Sequence, residues 1–266
     1  MNFFQAFVIA VIEGLTEFLP ISSTAHMKFA GPLIGIKQPT PFTNMFEVVI
    51  QLAAILAVVV LYRKKFFDFK KPGFYIKLLL AVIPSVIIAL LFKHKIDAAL
   101  DNLWFIAYVM IGGGVVLLFI DRIFNHPMFN DEQSVNYRRA FVIGCGQTLA
   151  IIFPGLSRSA ATIIAGMAQK LTRHEAAEFS FFLAVPTMFL ASAKSFLDTY
   201  KESPEVLNTS NLGILLFGSV VSFLVALVAI KFFIGFLNKH GFKVWGIYRI
   251  IVGVVILFLL AKNIIA

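Results

Sequence analysis

The sequence predicts an all-α polytopic membrane protein built as an inverted-topology repeat, and three observations lead to this fold class. Hydrophobic residues make up 59% of the chain and charged residues only 14%, against roughly 25% charged residues in a soluble domain. Apolar runs of about 20 residues, long enough to cross a bilayer, recur along the chain. The two halves also carry the same short motifs in the same order.

Five apolar segments are expected in each half, and two of the five are too short to cross the membrane alone. The two short segments of the first half are separated by Pro20 and serines, and those of the second half by Pro154 and Gly155. Because Pro ends a helix and Ser caps the next one, each short pair is predicted to be a re-entrant helix–break–helix hairpin. The expected segments are 2–19, 23–35, 42–62, 74–92 and 103–121, then 139–153, 157–169, 176–195, 211–232 and 244–261.

An internal repeat relates the two halves. The matching positions, at one offset, are AFVI at 6–9 and at 140–143, Pro20 and Pro154, and Ser23 and Ser157. Each half then holds one hairpin and three spans, and because three is odd the halves must lie upside down relative to each other. In that arrangement, broken helices meet near the bilayer midplane. A single membrane domain over 1–266 is therefore expected, with repeats over 1–122 and 136–266.

The charged loops predict the orientation of the chain. One side of the membrane carries most of the loop lysines and arginines, and the positive-inside rule makes that side cytoplasmic. Both termini then face the outer side, and the first hairpin enters the membrane from that side. The first apolar run lacks a basic n-region, so it is expected to stay on the mature protein. The net charge of +9 is attributed to the basic cytoplasmic loops, since no nucleic-acid motif accompanies it. The basic loops are 63–74, 122–139, 170–175 and 233–243.

The first break carries acids, hydroxyls and an imidazole. Glu13 and Glu17 are four residues apart and share a helix face. Two neighbouring carboxylates repel unless a proton or cation joins them, and a divalent metal held together with phosphate is one solution. Ser22 and Ser23 follow the break, and His26 comes one turn later; a hydroxyl near an imidazole suits nucleophilic or acid–base chemistry. Residues 13–26 read EGLTEFLPISSTAH.

The second break has the composition of an anion site. Gly155 allows close approach of the backbone to a ligand. Ser157, Arg158 and Ser159 open a helix, whose free N–H groups bind anions while Arg adds a bidentate charge. Residues 154–162 read PGLSRSAAT. The pattern therefore predicts a phosphate cradle.

Each of these residues also has a structural interpretation. The serines could be helix N-caps, the two glutamates could line an ion path, His26 could be a satisfied interior histidine, and Arg158 could be a counter-ion to Glu17. Charge inside a membrane costs at least about 2.5 kcal/mol, so their convergence at two breaks favours an anionic ligand, most simply phosphate, bound with a cation. Glu47 is expected to pack at an interface and Arg249 to snorkel out of the last span.

The two motifs resemble the signature regions of undecaprenyl-pyrophosphate phosphatase, the bacterial bacitracin-resistance family, and the resemblance covers essentially the whole chain. It implies hydrolysis of undecaprenyl pyrophosphate to the monophosphate and phosphate, which recycles the lipid carrier for cell-wall synthesis and confers bacitracin resistance. It also implies a divalent cation, Mg²⁺ or Ca²⁺, and a site open to the outer side of the bacterial cytoplasmic (inner) membrane.

Motif and resemblance together give the expected site. Catalysis is assigned to Ser23, His26 and Glu17, metal binding to Glu13 and Glu17, and phosphate binding to Ser22, Gly155, Ser157, Arg158, Ser159 and Thr162. Either Ser23 or a metal-bound water is the nucleophile. The expected partners are a prenyl pyrophosphate lipid and membrane lipids, without nucleic acid; a homodimer stays open. The rival functions are a secondary transporter or lipid flippase, for which inverted repeats are typical, and a structural scaffold.

Overall fold

The computed structural model describes residues 1–36, 38–131 and 134–265, and these residues fold into helices joined by loops. The helices are α1 (Phe3–Thr16), α2 (Ser23–Leu33), α3 (Pro41–Leu61), α4 (Arg63–Phe66), α5 (Pro72–Leu91), α6 (Lys93–Leu100), α7 (Leu103–Ile123), α8 (Tyr137–Ile152), α9 (Arg158–Ala168), α10 (Arg173–Glu202), α11 (Thr209–His240) and α12 (Lys243–Ala261), with a 3₁₀ turn at Pro204–Val206.

Six of the described helices are long and apolar enough to cross a membrane: α3, α5, α7, α10, α11 and α12. This confirms the prediction of an all-helical polytopic membrane protein. The helices α10 and α11 run beyond their predicted segments of 176–195 and 211–232, because the apolar run marks only the lipid-facing part of a helix. The polar end of α10 is supported by a bond from Lys194 to Asp198 one turn later.

Two pairs of shorter helices, α1–α2 and α8–α9, occupy the positions of the predicted hairpins. Asn2 and Asn136 cap the first helix of each pair. Ser22 and Ser157 cap the second, with φ angles of 71° and 78°, and each accepts a hydrogen bond from the backbone N–H three residues later. Both second helices have 11 residues. The cap geometry thus matches Ser22 with Ser157, one position earlier than the sequence offset, which matched Ser23.

Each hairpin packs against a long helix from the other half of the chain. The helix α1 lies along α11, and α8 lies along α5. The helices α7 and α12 form another close pair, in which Gly114 and Gly246 bring the two backbones together. These contacts draw the ends of α1 and α8, and therefore both breaks, toward the centre of the molecule.

Substituting Gly144 by alanine is expected to destabilise the fold by about 1–3 kcal/mol, the usual cost of overpacking. A Cβ atom at Gly144, on α8, would overlap with the backbone carbonyl of Ala81 on α5, and a backbone cannot move aside cheaply. Gly112→Ala in α7 is the matched control, because no atom lies within 4 Å of its added Cβ. Thermal unfolding in detergent should show a lower Tm for Gly144→Ala alone. Equal Tm values for the two variants would contradict this account of the α5–α8 contact.

Candidate active site

A cavity of about 480 Å³ lies where the two breaks meet. Ser22 and Ser23 from the first break and Pro154, Gly155 and Ser157 from the second line its inner part. The side chains of Glu17 and Arg158 also face it. Residues of α6 and the loop after it also line the cavity: Ile96, Asp97, Leu100 and Asp101. The fold therefore brings the two predicted motifs together around one space.

Glu17 is the centre of the hydrogen bonds at this meeting point. Its Oε2 accepts a hydrogen bond from Ser23 Oγ at 2.6 Å, and its Oε1 accepts one from Arg158 Nη2 at 2.8 Å. Ser23 and Arg158 are the first residues of α2 and α9, so one carboxylate joins the two second helices. The side chains of Glu17 and Arg158 are only 5% and 10% exposed. Because the pair is buried, the loss of either partner would leave an uncompensated charge in the interior, which is costly.

Glu13 lies one turn before Glu17 and has a different environment. It is fully buried, and neither of its carboxylate oxygens has a hydrogen-bond partner among the described residues. Glu17, four residues later, lies on the same face of the helix, so the two carboxylates repel each other when both are charged. Such a pair is stable only with a proton or a cation between or beside it. Glu13 is not among the residues that line the cavity.

The other predicted phosphate-binding residues divide into two groups. Ser157 and Gly155 line the cavity, whereas Ser159 and Thr162 do not. Ser159 Oγ donates to the Leu19 carbonyl at 2.8 Å, and so ties the second hairpin to the first break. Thr162 Oγ1 lies 2.6 Å from Ser180 Oγ on α10. Ser159 and Thr162 therefore position the phosphate cradle through hydrogen bonds to neighbouring segments and do not face the cavity.

Gly155 is needed for a close approach of the backbone. Its φ angle of 97° is one that side-chain-bearing residues rarely adopt, and a Cβ atom would lie 2.7 Å from the Ile106 carbonyl oxygen. The glycine thus lets the second break lie against α7 as well as line the cavity.

His26 lies beside the cluster but points away from Ser23. Its Nδ1 is 2.7 Å from the Ser22 carbonyl oxygen, which can only accept, so Nδ1 carries a hydrogen. Its Nε2 lies 2.9 Å from the hydroxyl of Tyr248, and the two rings stack at 5.7 Å. His26 is not among the residues lining the cavity. The hydrogen-bond partner of Ser23 is Glu17, not His26.

Arg249 is the residue whose role was predicted wrongly. It does not snorkel: it is fully buried, and its guanidinium donates to backbone carbonyls of α7 and of both breaks. The acceptors are Val109, Met110, Pro20, Gly155 and Leu156, at 2.6–3.5 Å. The space for the guanidinium exists because Gly113 on α7 has no side chain. The only sign of this burial in the sequence was an arginine within the apolar run of the last span, together with a glycine-rich run in α7.

Further polar residues in the cavity wall were also missed. Lys28 Nζ lies 3.2 Å from Glu47 Oε2 and 3.5 Å from Asn44 Oδ1, and all three residues line the cavity. Gln147 donates to Ser85 at 2.7 Å, while its own carbonyl oxygen has no partner among the described residues. Glu47 thus belongs to the cavity wall and pairs with Lys28.

Comparison with known proteins adds independent information. The family model described as bacitracin resistance protein BacA matches residues 6–255. The undecaprenyl-diphosphatase of Flavobacterium psychrophilum is 52% identical over 259 residues, which cover 97% of this chain and 96% of that protein. The protein of the same name from Porphyromonas gingivalis is 46% identical over 280 aligned positions, which cover 99% of each chain. That from Bdellovibrio bacteriovorus is 42% identical over 262 aligned positions, which cover 98% of this chain and 97% of that protein.

Proposed function

The chain belongs to the bacitracin resistance protein BacA family, and from that premise we propose that it is a phosphatase that hydrolyses undecaprenyl diphosphate to undecaprenyl phosphate and inorganic phosphate. This activity recycles the lipid carrier and thereby confers bacitracin resistance. The observation that carries the proposal is the buried Glu17 carboxylate, which accepts hydrogen bonds from Ser23 and Arg158 at the cavity between the two breaks.

The geometry of Ser23 suits an attack on phosphorus. Its hydrogen is donated to Glu17 at 2.6 Å, so its oxygen lone pairs are free to face the cavity. In the proposed reaction the Ser23 oxygen bonds to the terminal phosphorus while its proton passes to Glu17 Oε2, and the bond from that phosphorus to the bridging oxygen breaks. Undecaprenyl phosphate leaves, and water then hydrolyses the phosphoserine to release phosphate. Attack by water in place of Ser23 uses the same cavity and remains the alternative.

Arg158 and the N-termini of α2 and α9 would bind the phosphate oxygens. Both helices begin in the cavity wall, so free backbone N–H groups and the positive ends of two helix dipoles lie near it. His26 would act as an acid only after exchanging its bond with Tyr248 for one with the substrate, and Nε2 is the atom available for this. These groups stabilise the charge that develops on the oxygens in the transition state.

The donor set fits a divalent cation that is shared with the substrate. Glu13 and Glu17 would hold Mg²⁺ or Ca²⁺, and phosphate oxygens would supply further ligands, since no group of three or more His, Cys, Asp or Glu that could hold a metal occurs in the described ranges. When bound, the cation would neutralise charge on the transferred phosphate. The unpaired, fully buried carboxylate of Glu13 is the observation that supports this part of the proposal.

We propose further that the chain is built as an inverted repeat, that it lies in the bacterial inner membrane, and that its site opens to the outer side. The matched caps of α2 and α9 and the reciprocal packing of α1 on α11 and of α8 on α5 support the repeat. The outward opening is supported by α6, which lines the cavity and lies in a connection between spans that the charge distribution assigns to the outer side.

Glu13→Gln is expected to weaken the response to metal. The substitution keeps the shape of the side chain but removes the charge. Phosphate release should then need at least about tenfold more Mg²⁺ or Ca²⁺ for half-maximal rate, since even the loss of a group that only orients a metal ligand weakens metal binding that much. Phosphate release is measured over a metal titration after removal of metal with EDTA. If the wild type releases phosphate unchanged in EDTA, the requirement for a divalent cation is wrong. If the metal titration of the variant is not shifted, Glu13 is not a metal ligand.

A further inference from the structure

Two cationic side chains, Arg158 and Lys28, line the cavity within the described part of the chain. Arg158 already has two acceptors: it donates to Glu17 at 2.8 Å and to the Ser180 carbonyl at 3.2 Å. A diphosphate carries more negative charge than one guanidinium that is already paired can balance. A second cationic group in the same cavity is therefore significant for such a ligand.

Lys28 has unused capacity to donate hydrogen bonds. Its ammonium has three hydrogens, and its contacts with Glu47 at 3.2 Å and Asn44 at 3.5 Å are longer than the 2.7–2.9 Å typical of a strong charged pair. The side chain is only 14% exposed, so little water competes for these hydrogens. The lysine is thus held loosely, in a place where a stronger acceptor would displace its partners.

Lys28 and Ser23 line the same cavity from different turns of α2. Lys28 lies five residues after Ser23, which is about 7.5 Å along the helix axis. A lysine on the lipid-facing side of a span would extend toward the interface, whereas Lys28 turns inward. Its long, flexible side chain can reach back toward a ligand bound at Ser23.

We propose that Lys28 binds the second, lipid-bearing phosphate of the diphosphate while Ser23 and Arg158 hold the terminal one. The inference rests on the proposed function and adds a cause of selectivity: a ligand with one phosphate reaches Ser23 and Arg158 but not Lys28. The competing explanation is a structural ion pair between Lys28 and Glu47. The two explanations make different predictions for the two partners of that pair.

The test measures binding of methylenediphosphonate, a diphosphate analogue that is not hydrolysed, and of orthophosphate to the detergent-purified protein by calorimetry. Lys28→Met should raise the Kd for methylenediphosphonate about tenfold or more, the effect of losing a charged hydrogen bond, and should change the Kd for orthophosphate less than about threefold. Lys28→Arg should retain most of the affinity for the diphosphonate. Glu47→Gln, which breaks the same ion pair from its other side, should not raise this Kd.

Several outcomes would overturn the inference: an unchanged diphosphonate Kd in Lys28→Met, equal losses for both ligands, or the same loss in Glu47→Gln. Hydrolysis of undecaprenyl diphosphate, measured in parallel, separates this inference from the proposed function. An active wild type with unchanged binding in Lys28→Met refutes the role of Lys28 alone. An inactive wild type whose diphosphonate binding depends on Lys28 refutes the phosphatase and upholds the second phosphate subsite.

Discussion

Glu17→Gln is expected to lower kcat/KM for undecaprenyl diphosphate by at least about 10³-fold, which corresponds to about 4 kcal/mol of transition-state stabilisation. The amide cannot accept hydrogen bonds from both Ser23 and Arg158 as the carboxylate does at 2.6 and 2.8 Å. The hydroxyl of Ser23 then loses its orientation and the Arg158 guanidinium its counter-charge. Phosphate release by purified variant and wild type, at saturating metal, measures the effect.

The matched control is Glu178→Gln. Glu178 is also a buried carboxylate on a helix, paired with Lys65 at 2.8 Å, but it is not among the residues that line the cavity. Glu178→Gln should lower the Tm while leaving kcat/KM within about threefold of wild type, since its effect is on stability. If the two variants lose activity equally, or if Glu17→Gln retains more than a tenth of the wild-type rate, the central role of Glu17 is wrong.

Arg249→Met is expected to destabilise the protein by about 3 kcal/mol or more. The guanidinium is fully buried and donates to five backbone carbonyls, three of which lie outside the helices, and each buried acceptor left unsatisfied costs about 1–3 kcal/mol. Pro20, Gly155 and Leu156, three of the acceptors, belong to the two breaks. Activity should therefore fall together with the Tm, because the breaks lose the contact that holds them in register.

Thermal unfolding in detergent checks this prediction, with Lys231→Met as the control. Lys231 is an exposed cation on α11, so its loss should change stability by no more than about 0.5 kcal/mol. Arg249→Lys should fall between wild type and Arg249→Met, because an ammonium cannot reach carbonyls on three segments at once. A Tm of Arg249→Met equal to that of the control would show that the buried bonds contribute nothing.

Local sequence signals predicted the membrane helices and the breaks well. The spans follow from runs of apolar residues, and the breaks from Pro20 and Pro154 with the serines that follow, because caps and chain reversals depend on neighbouring residues. The ion pair of Arg158 with Glu17 was one of two interpretations that the sequence left open. Their distance depends on how the two hairpins pack, which no local pattern specifies.

The residues that were missed have contacts set by other helices. Arg249 was expected at the interface because its own helix gives no reason to bury it; the reason is the glycine surface of α7, more than 100 residues away. The direction of His26 depends on Tyr248 of α12 in the same way. Periodicity within one segment shows which residues are apolar, but not which partner a polar residue meets.

The most direct test of the phosphatase is release of orthophosphate from undecaprenyl diphosphate by the detergent-purified wild-type protein with Mg²⁺ or Ca²⁺. We expect one phosphate and one undecaprenyl phosphate per substrate consumed, at a rate proportional to the amount of protein. A protein with a cooperative thermal transition and no release at any metal concentration would contradict the account, and would direct attention to transport of the intact lipid.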